Sequence, residues 1–204
     1  VTNMEPAGVD ELDEGQLLTP VVAIDLARAE ISRVAKLLGR MQRAIIVPFL
    51  SDESRRDEFF PQLSLLDGIK MREEKINFLQ GKITDYLLQV ARQELSEAQS
   101  NEVFQMISIV KDMESIGDII DRNMIPMIPK KHGLESDFSH EGKEELLIYH
   151  EKVCQQLHLL MEAFAERSPD KALIIMAKER KYLDLESQYR IQHLGTFVDA
   201  GPSA

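Results

Sequence analysis

Residues 100–123 read SNEVFQMISIVKDMESIGDIIDRN, and their pattern predicts one continuous helix without an internal proline. At about 100° per residue, one face of this helix carries three aliphatic side chains, Val103, Ile107 and Val110. The same face continues toward the C-terminus with three carboxylates, Glu114, Asp118 and Asp121. A stripe that begins as part of a core therefore becomes acidic over its last turns.

The acidic face has two interpretations. A solvated face beyond the end of the packed seam needs no ligand. Ile116, Ile119 and Ile120 nevertheless keep the segment largely apolar beyond Glu114. Gly117 also lies on the acidic face, where a helix-interior glycine costs about 1 kcal/mol relative to alanine. Because unpaired carboxylates are costly to bury, we expect a positive partner for the acids, and the glycine indicates that another group approaches the backbone closely.

Composition limits the class of protein. The 204 residues carry a formal net charge of −11 and include one cysteine, Cys154, which excludes an internal disulfide and suits a reducing compartment. The acidic balance argues against nucleic acid or an anionic membrane as the main partner, because both need a basic surface. No stretch approaches the roughly 20 apolar residues that a membrane-spanning helix needs. Because the sequence starts at Val1, we expect a fragment of a longer chain.

Four further helices are predicted from the spacing of apolar residues, at residues 20–47, 66–95, 141–166 and 172–194. Thr19 and Pro20 favour the first start, because threonine caps a helix and proline suits the first helical position. No strand is predicted, since alternation by twos does not persist anywhere. The sequence therefore predicts an all-α protein.

Breaks in the helical pattern divide the chain into two unequal halves. The predicted parts are a disordered acidic linker at 1–18, a first three-helix bundle at 19–126, a loop between the halves at 127–140, a second, incomplete helical repeat at 141–194 and a tail at 195–204.

Polar residues also approach the core near the start of the second predicted helix. Glu73 and Asn77 flank the inner stripe, one turn apart. Antiparallel neighbours joined by a short loop would bring them level with the acidic end of the third helix. A solvated first turn is the alternative that the spacing leaves open.

These segments carry a family resemblance. Residues 112–121, DMESIGDIID, resemble the signature of PhoU-like proteins, in which a helix carries a Glu-x-x-x-Asp pair, and residues 73–87, EEKINFLQGKITDYL, resemble the preceding helix. Residues 19–36 (TPVVAIDLARAEISRVAK) and 178–194 (KERKYLDLESQYRIQHL) are similar to the cytosolic region that follows the membrane domain of bacterial sodium/phosphate cotransporters.

The resemblance implies a PhoU-like antiparallel helical bundle, with one complete three-helix repeat, and a regulatory role in phosphate homeostasis at the cytoplasmic face of the membrane. The implied partners are a membrane transporter domain in the same chain or phosphate-signalling proteins. The implied metal ligands are Glu114 and Asp118, with Asp121, Glu73 and Asn77 as additions from the same region. All-oxygen ligands favour a hard cation such as Mg²⁺, Ca²⁺, Mn²⁺ or iron.

The second half departs from the resemblance, because no sixth helix with a second acidic motif follows. The fourth and fifth helices would then expose an apolar groove, for which self-association or a partner helix is the remedy. No catalytic residue and no second metal site is predicted. Two alternatives remain open: a carboxylate-bridged metalloenzyme, which usually adds Glu-x-x-His pairs, and a metal-free helical adaptor.

Overall fold

The structure is a computed structural model that describes residues 19–134 and 137–199, with side chains described as far as residue 192. The chain divides into two compact units between Gly133 and Leu134. The predicted linker at residues 1–18 and the last part of the predicted tail, residues 200–204, lie outside the described residues.

The described residues form helices joined by short connections. In chain order these are α1 (Pro20–Ile45), α2 (Val47–Leu50), α3 (Leu65–Val90), α4 (Glu97–Asp118), a π-helical segment (Ile119–Met124), α5 (Met127–His132), α6 (His140–Glu166) and α7 (Pro169–Asp199). Within the described ranges the only β contact is an isolated antiparallel bridge between Arg56 and Ser64. The predicted all-α class is confirmed. None of the helices described is long and apolar enough to cross a lipid bilayer.

Polar caps fix where the long helices of the first unit begin. The Thr19 side chain accepts a hydrogen bond from the backbone N–H of Val22, and Ser64 caps α3 in the same way. Ser96 and Gln99 form a reciprocal capping box at the start of α4. Each cap satisfies backbone donors that a helix N-terminus otherwise leaves open.

Helices α1, α3 and α4 pack on one another around an aliphatic core. Six fully buried members of that core are Ile31, Leu38, Ile76, Ile83, Val103 and Val110. Arg28 of α1 forms an ion pair with Glu102 of α4, and Met41 lies beside Gly117 farther along the same two helices. In both pairs the α4 residue lies about 75 positions after the α1 residue. Because both partners advance along the chain together, α1 and α4 run parallel. The short connection from α3 to α4 makes α3 antiparallel to both.

Several predicted boundaries were wrong. The helix predicted to run to residue 95 ends at Val90, because Ser96 starts a new helix and the chain must turn before it. The predicted loop at 127–140 contains α5, whose Lys131 is buried in an ion pair with Asp52. The predicted tail from residue 195 is helical as far as Asp199, since no proline interrupts α7 after Pro169.

A buried ion pair holds the connection before α3 in place. Asp57 and Arg72 are 3% and 2% exposed, and two guanidinium nitrogens donate to the Asp57 carboxylate at 2.6 and 2.8 Å. Arg72 also donates to the carbonyl oxygen of Gly68 at 2.8 Å. The hydrogen bonds from Arg72, aided by the backbone N–H groups of Phe60 and Phe59, lower the pKa of Asp57 from 3.8 to about 2 against the opposing effect of burial. The pair therefore stays ionised at any pH near neutrality.

Gly68 and Gly81 give a matched test of this pair. A β-carbon at Gly68 would lie 2.1 Å from Asp57 Oδ2, whereas one at Gly81 would meet nothing within 4 Å. Because Arg72 holds the carboxylate, we expect Gly68→Ala to lower the free energy of unfolding by about 2 kcal/mol. We expect Gly81→Ala to raise it by up to about 1 kcal/mol, as alanine is the better helix former.

Urea denaturation of both variants and the unchanged chain measures these differences. Equal effects of the two substitutions would contradict the proposed rigidity of the Asp57–Arg72 pair.

Candidate functional site

The acidic end of α4 lies against the core at the level where α3 carries Glu73 and Asn77. Gly117 is buried there, and a β-carbon added to it would lie 3.9 Å from Met41 Cε and 4.0 Å from Ile76 Cδ1. Ile76 is the α3 residue between Glu73 and Asn77 in this layer. The antiparallel packing thus brings the two polar regions to one end of the three-helix core.

The contacts at Gly117 correct one expectation. Distances of 3.9 and 4.0 Å are ordinary van der Waals separations, so an alanine side chain fits this site. The packing of the described residues therefore does not require a glycine at this position, and the expected close approach to the backbone is not present.

The third helix is not one continuous α-helix as predicted. From Ile119 it widens into the π-helical segment, where the N–H of Ile125 donates to the carbonyl oxygen of Ile120 at 3.0 Å, five residues back. The wider turn keeps Ile120 buried at 1% exposure. It also changes the angle between successive side chains, so Asp121 no longer follows the face calculated for an α-helix. Single π turns inside helices are frequent at functional sites.

Glu73 is the most buried carboxylate of the candidate site, at 8% exposure. The Asn77 amide nitrogen donates a hydrogen bond to its Oε1. Burial is the largest cause of a raised Glu73 pKa, which the Asn77 hydrogen bond opposes and the negative charges of Asp121 and Asp118 reinforce. The π-helical segment therefore brings Asp121 within electrostatic reach of α3.

Two basic side chains of the same helix partly neutralise the acids. Arg122 Nη1 lies 3.0 Å from Asp118 Oδ2, and Lys111 Nζ lies 3.0 Å from Glu114 Oε2. Sequence reasoning missed both cations, although their spacing of three or four residues from the acids is the usual spacing of helical ion pairs.

Two buried oxygens of the site remain without a hydrogen-bond partner. They are Asn77 Oδ1 and Asp118 Oδ1. Buried polar atoms are normally paired, and an amide or carboxylate oxygen left open is one that a hydrogen-bond donor or a cation can satisfy.

The structure therefore groups four of the five predicted ligands, Glu73, Asn77, Asp118 and Asp121. Glu114 lies one turn before Asp118 and forms its ion pair with Lys111. Across the described part of the chain, no three His, Cys, Asp or Glu side chains are close enough together to hold a metal ion in this arrangement. The donor chemistry fits a hard cation, but the side chains would have to move to surround one.

One known family model matches the part of the chain that carries this site. The PhoU domain family matches residues 61–123, from the connection before α3 to within the π-helical segment. The chain is 23% identical over 193 residues to "Putative inorganic phosphate export protein YjbB" of Salmonella typhimurium, a match that covers 95% of this chain and 33% of that protein. The protein of the same name from Escherichia coli K12 is 24% identical over 183 residues, covering 90% of this chain and 32% of the relative.

The chain thus spans about a third of the length of the curated relatives it matches. No solved structure matches it significantly. The PhoU match covers α3, α4 and most of the π-helical segment, and it agrees with the all-α packing of these elements.

The raised pKa of Glu73 predicts a pH-dependent effect of Glu73→Gln. A folded state that raises a carboxyl pKa binds the proton more tightly than the unfolded chain, so ionised Glu73 destabilises the fold as pH rises above the ordinary glutamate pKa of 4.5. With a chelator present, we expect Glu73→Gln to raise the melting temperature at pH 7, with a smaller gain at acidic pH. Thermal unfolding followed by circular dichroism at both pH values measures the difference.

The exposed neighbour Glu74 supplies the control, because Glu74→Gln removes the same charge from the surface. A Glu73→Gln gain that stays constant between the two pH values, or a loss at pH 7, would contradict the raised pKa.

Proposed function

We propose that this chain is a PhoU-like regulatory domain in phosphate homeostasis and not an enzyme. The observation that carries the proposal is the coincidence of the PhoU match, residues 61–123, with the helices that bring Glu73 and Asp118 together. Similarity to proteins named for phosphate export, over 90% or more of this chain, supports the same process.

The chain is further proposed to form the cytosolic part of a sodium/phosphate cotransporter. Residues 19–36 and 178–194 resemble that region of the cotransporters, and the matched relatives are about three times as long as this chain. A membrane transporter domain in the same polypeptide is then its first partner, and phosphate-signalling proteins are the second.

The acidic face is proposed to bind a divalent or iron-type cation through Glu114, Asp118, Asp121, Glu73 and Asn77. The open oxygens of Asn77 and Asp118 support this proposal, since a hard cation would satisfy both. A bound cation would supply positive charge in the layer between α3 and the π-helical segment. Burial, followed by the negative charges of Asp121 and Asp118, raises the Glu73 pKa, and a cation bound in this layer would lower it.

Cation binding would require the protein to rearrange its own ion pairs. Asp118 would turn from Arg122, and Glu114 would leave Lys111 to join the other ligands. Because α3 contributes Glu73 and Asn77 while α4 contributes Asp118, shared ligands would fasten the two helices together. The π-helical segment is followed by α5, whose Lys131 forms an ion pair with Asp52. We propose that a movement of the ligands on cation binding reaches a partner protein through α5.

A metal-free helical adaptor is the second candidate. The ion pairs of Lys111 and Arg122 favour it, because they neutralise two of the acids without any ligand. The adaptor and the metal-binding regulator share a fold and differ only in whether the acidic face takes up a cation.

Bound metal distinguishes the two candidates. We expect the purified chain, loaded with Mn²⁺ or Fe²⁺ and dialysed, to retain metal, and Glu114→Ala/Asp118→Ala to lose it, because both carboxylates are ligands. Elemental analysis by mass spectrometry measures the metal content. Asp112→Ala/Glu74→Ala is the control, since it also removes two carboxylates, both of them exposed.

The same variants test the phosphate role in the full reading frame that contains this chain. We expect the Glu114→Ala/Asp118→Ala protein to show altered flux of radioactive phosphate in transport-deficient bacteria, and the control variant to show normal flux. An unchanged chain that retains no metal would favour the adaptor, and unchanged metal content in Glu114→Ala/Asp118→Ala would contradict the assigned ligands. Unchanged flux would contradict a regulatory role for the acidic face.

A further inference from the structure

Helices α6 and α7 form a hairpin with very little core. Their contact includes a hydrogen bond from Gln156 to the carbonyl oxygen of Ile175 at 3.3 Å and an ion pair of Lys171 with Glu162 at 3.1 Å. Among the 27 residues of α6 only His150 and Ala163 are buried. None of the α7 side chains described is buried. Two helices with so little buried surface need further packing to be stable.

One side of α7 already faces α6. It carries half-buried side chains at helical spacing, namely Ile175, Tyr182, Leu185 and Tyr189. Lys152 of α6 lies 5.9 Å from the Tyr182 ring, which identifies this side as the α6 contact.

A second apolar stripe lies on the opposite side of α7. Its members are Leu173, Met176, Leu183 and Ile191, exposed by 63%, 68%, 58% and 70%. Arg180 and Ser187 complete a spacing of three and four residues that repeats along the helix, which is the pattern of a seam between two packed helices. A helix that is apolar on two opposite sides lies between two neighbours in the assembled protein, and within the described part of the second unit only α6 packs against α7.

We propose that the outer stripe of α7 is an interface with a second copy of this chain, in which the two α7 helices pack antiparallel. Each hairpin would then contribute two helices to an intermolecular four-helix bundle, a common way to complete a helical core. A two-fold axis lets the same stripe supply both surfaces, so no other partner is needed.

The area of the stripe suits such a dimer. Four Leu, Ile and Met side chains, each more than half exposed, offer roughly 500 Å² per copy, so complete burial of both stripes would remove about 1,000 Å² from solvent. That value reaches the lower bound for a specific interface between proteins.

Charge decides the direction of pairing. In a parallel pair Arg180 would face its own copy, and like charges would repel in the middle of the seam. In an antiparallel pair centred near residue 182, Arg180 faces Asp184 of the second copy and Leu173 faces Ile191. The antiparallel arrangement thus pairs opposite charges at the centre and apolar side chains at the ends.

The mass of the whole chain in solution tests the interface. We expect twice the chain mass by light scattering, and Leu173→Lys/Leu183→Lys to reduce it to the mass of one chain with unchanged helix content by circular dichroism. Phe78→Lys/Phe104→Lys is the control, because it adds two charges at similarly exposed apolar positions of the first unit and should leave the dimer intact. A monomeric unchanged chain, or a dimer that survives Leu173→Lys/Leu183→Lys, would overturn the proposal.

Disulfide formation tests the direction. In a Cys154→Ser background, we expect Leu173→Cys/Ile191→Cys to give a covalent dimer under mild oxidation, since the two positions meet across the interface. The two cysteines cannot join within one chain, because about 27 Å of helix separates them. We expect Leu173→Cys alone to stay uncrosslinked, and a covalent dimer from this single variant would overturn the antiparallel arrangement.

Discussion

The structure of the first unit depends on how it accommodates carboxylates at the end of its aliphatic core. Glu73 is 8% exposed, and the charges of Asp118 and Asp121 raise its pKa further. A buried carboxyl group must either be protonated or, if it is ionised, be paired with a positive group or bound to a cation. The protein supplies partial pairing through Asn77 and Arg122, and it leaves two oxygens open.

The Asp57–Arg72 pair shows the opposite solution in the same three-helix bundle. Both carboxylate oxygens of Asp57 accept hydrogen bonds, from Arg72 or from the backbone of the connection, and the Asp57 pKa falls to about 2. An ion pair in which both carboxylate oxygens are hydrogen-bonded fixes structure, because removing either partner leaves a buried charge uncompensated. The cluster around Glu73 is open by comparison, and an open cluster is suited to binding a ligand or to switching between partners.

Much of the fold could be predicted from sequence, because apolar spacing and polar caps indicate the long helices. The position of Glu73 and Asn77 opposite the acidic end of α4 could also be predicted, because a short loop makes neighbouring helices antiparallel. The π-helical segment could not be predicted, since a wheel assumes one constant angle per residue and Ile119–Met124 depart from it. The ion pairs of Lys111 and Arg122 could have been predicted, because these residues lie three and four positions from Glu114 and Asp118. Helix α5 is short, and its buried Lys131 depends on Asp52 from a distant part of the chain, which local sequence cannot show.

The central claim is that the acids near Glu73 face inward and that a cation can join them. Diffraction from crystals of the chain soaked in Mn²⁺, recorded at an energy where manganese scatters anomalously, tests it most directly. We expect an anomalous peak within bonding distance of oxygens of Asp118 and Asn77, with Arg122 turned away from Asp118. A map without such a peak, in which Arg122 still pairs with Asp118 and Lys111 with Glu114, would contradict it.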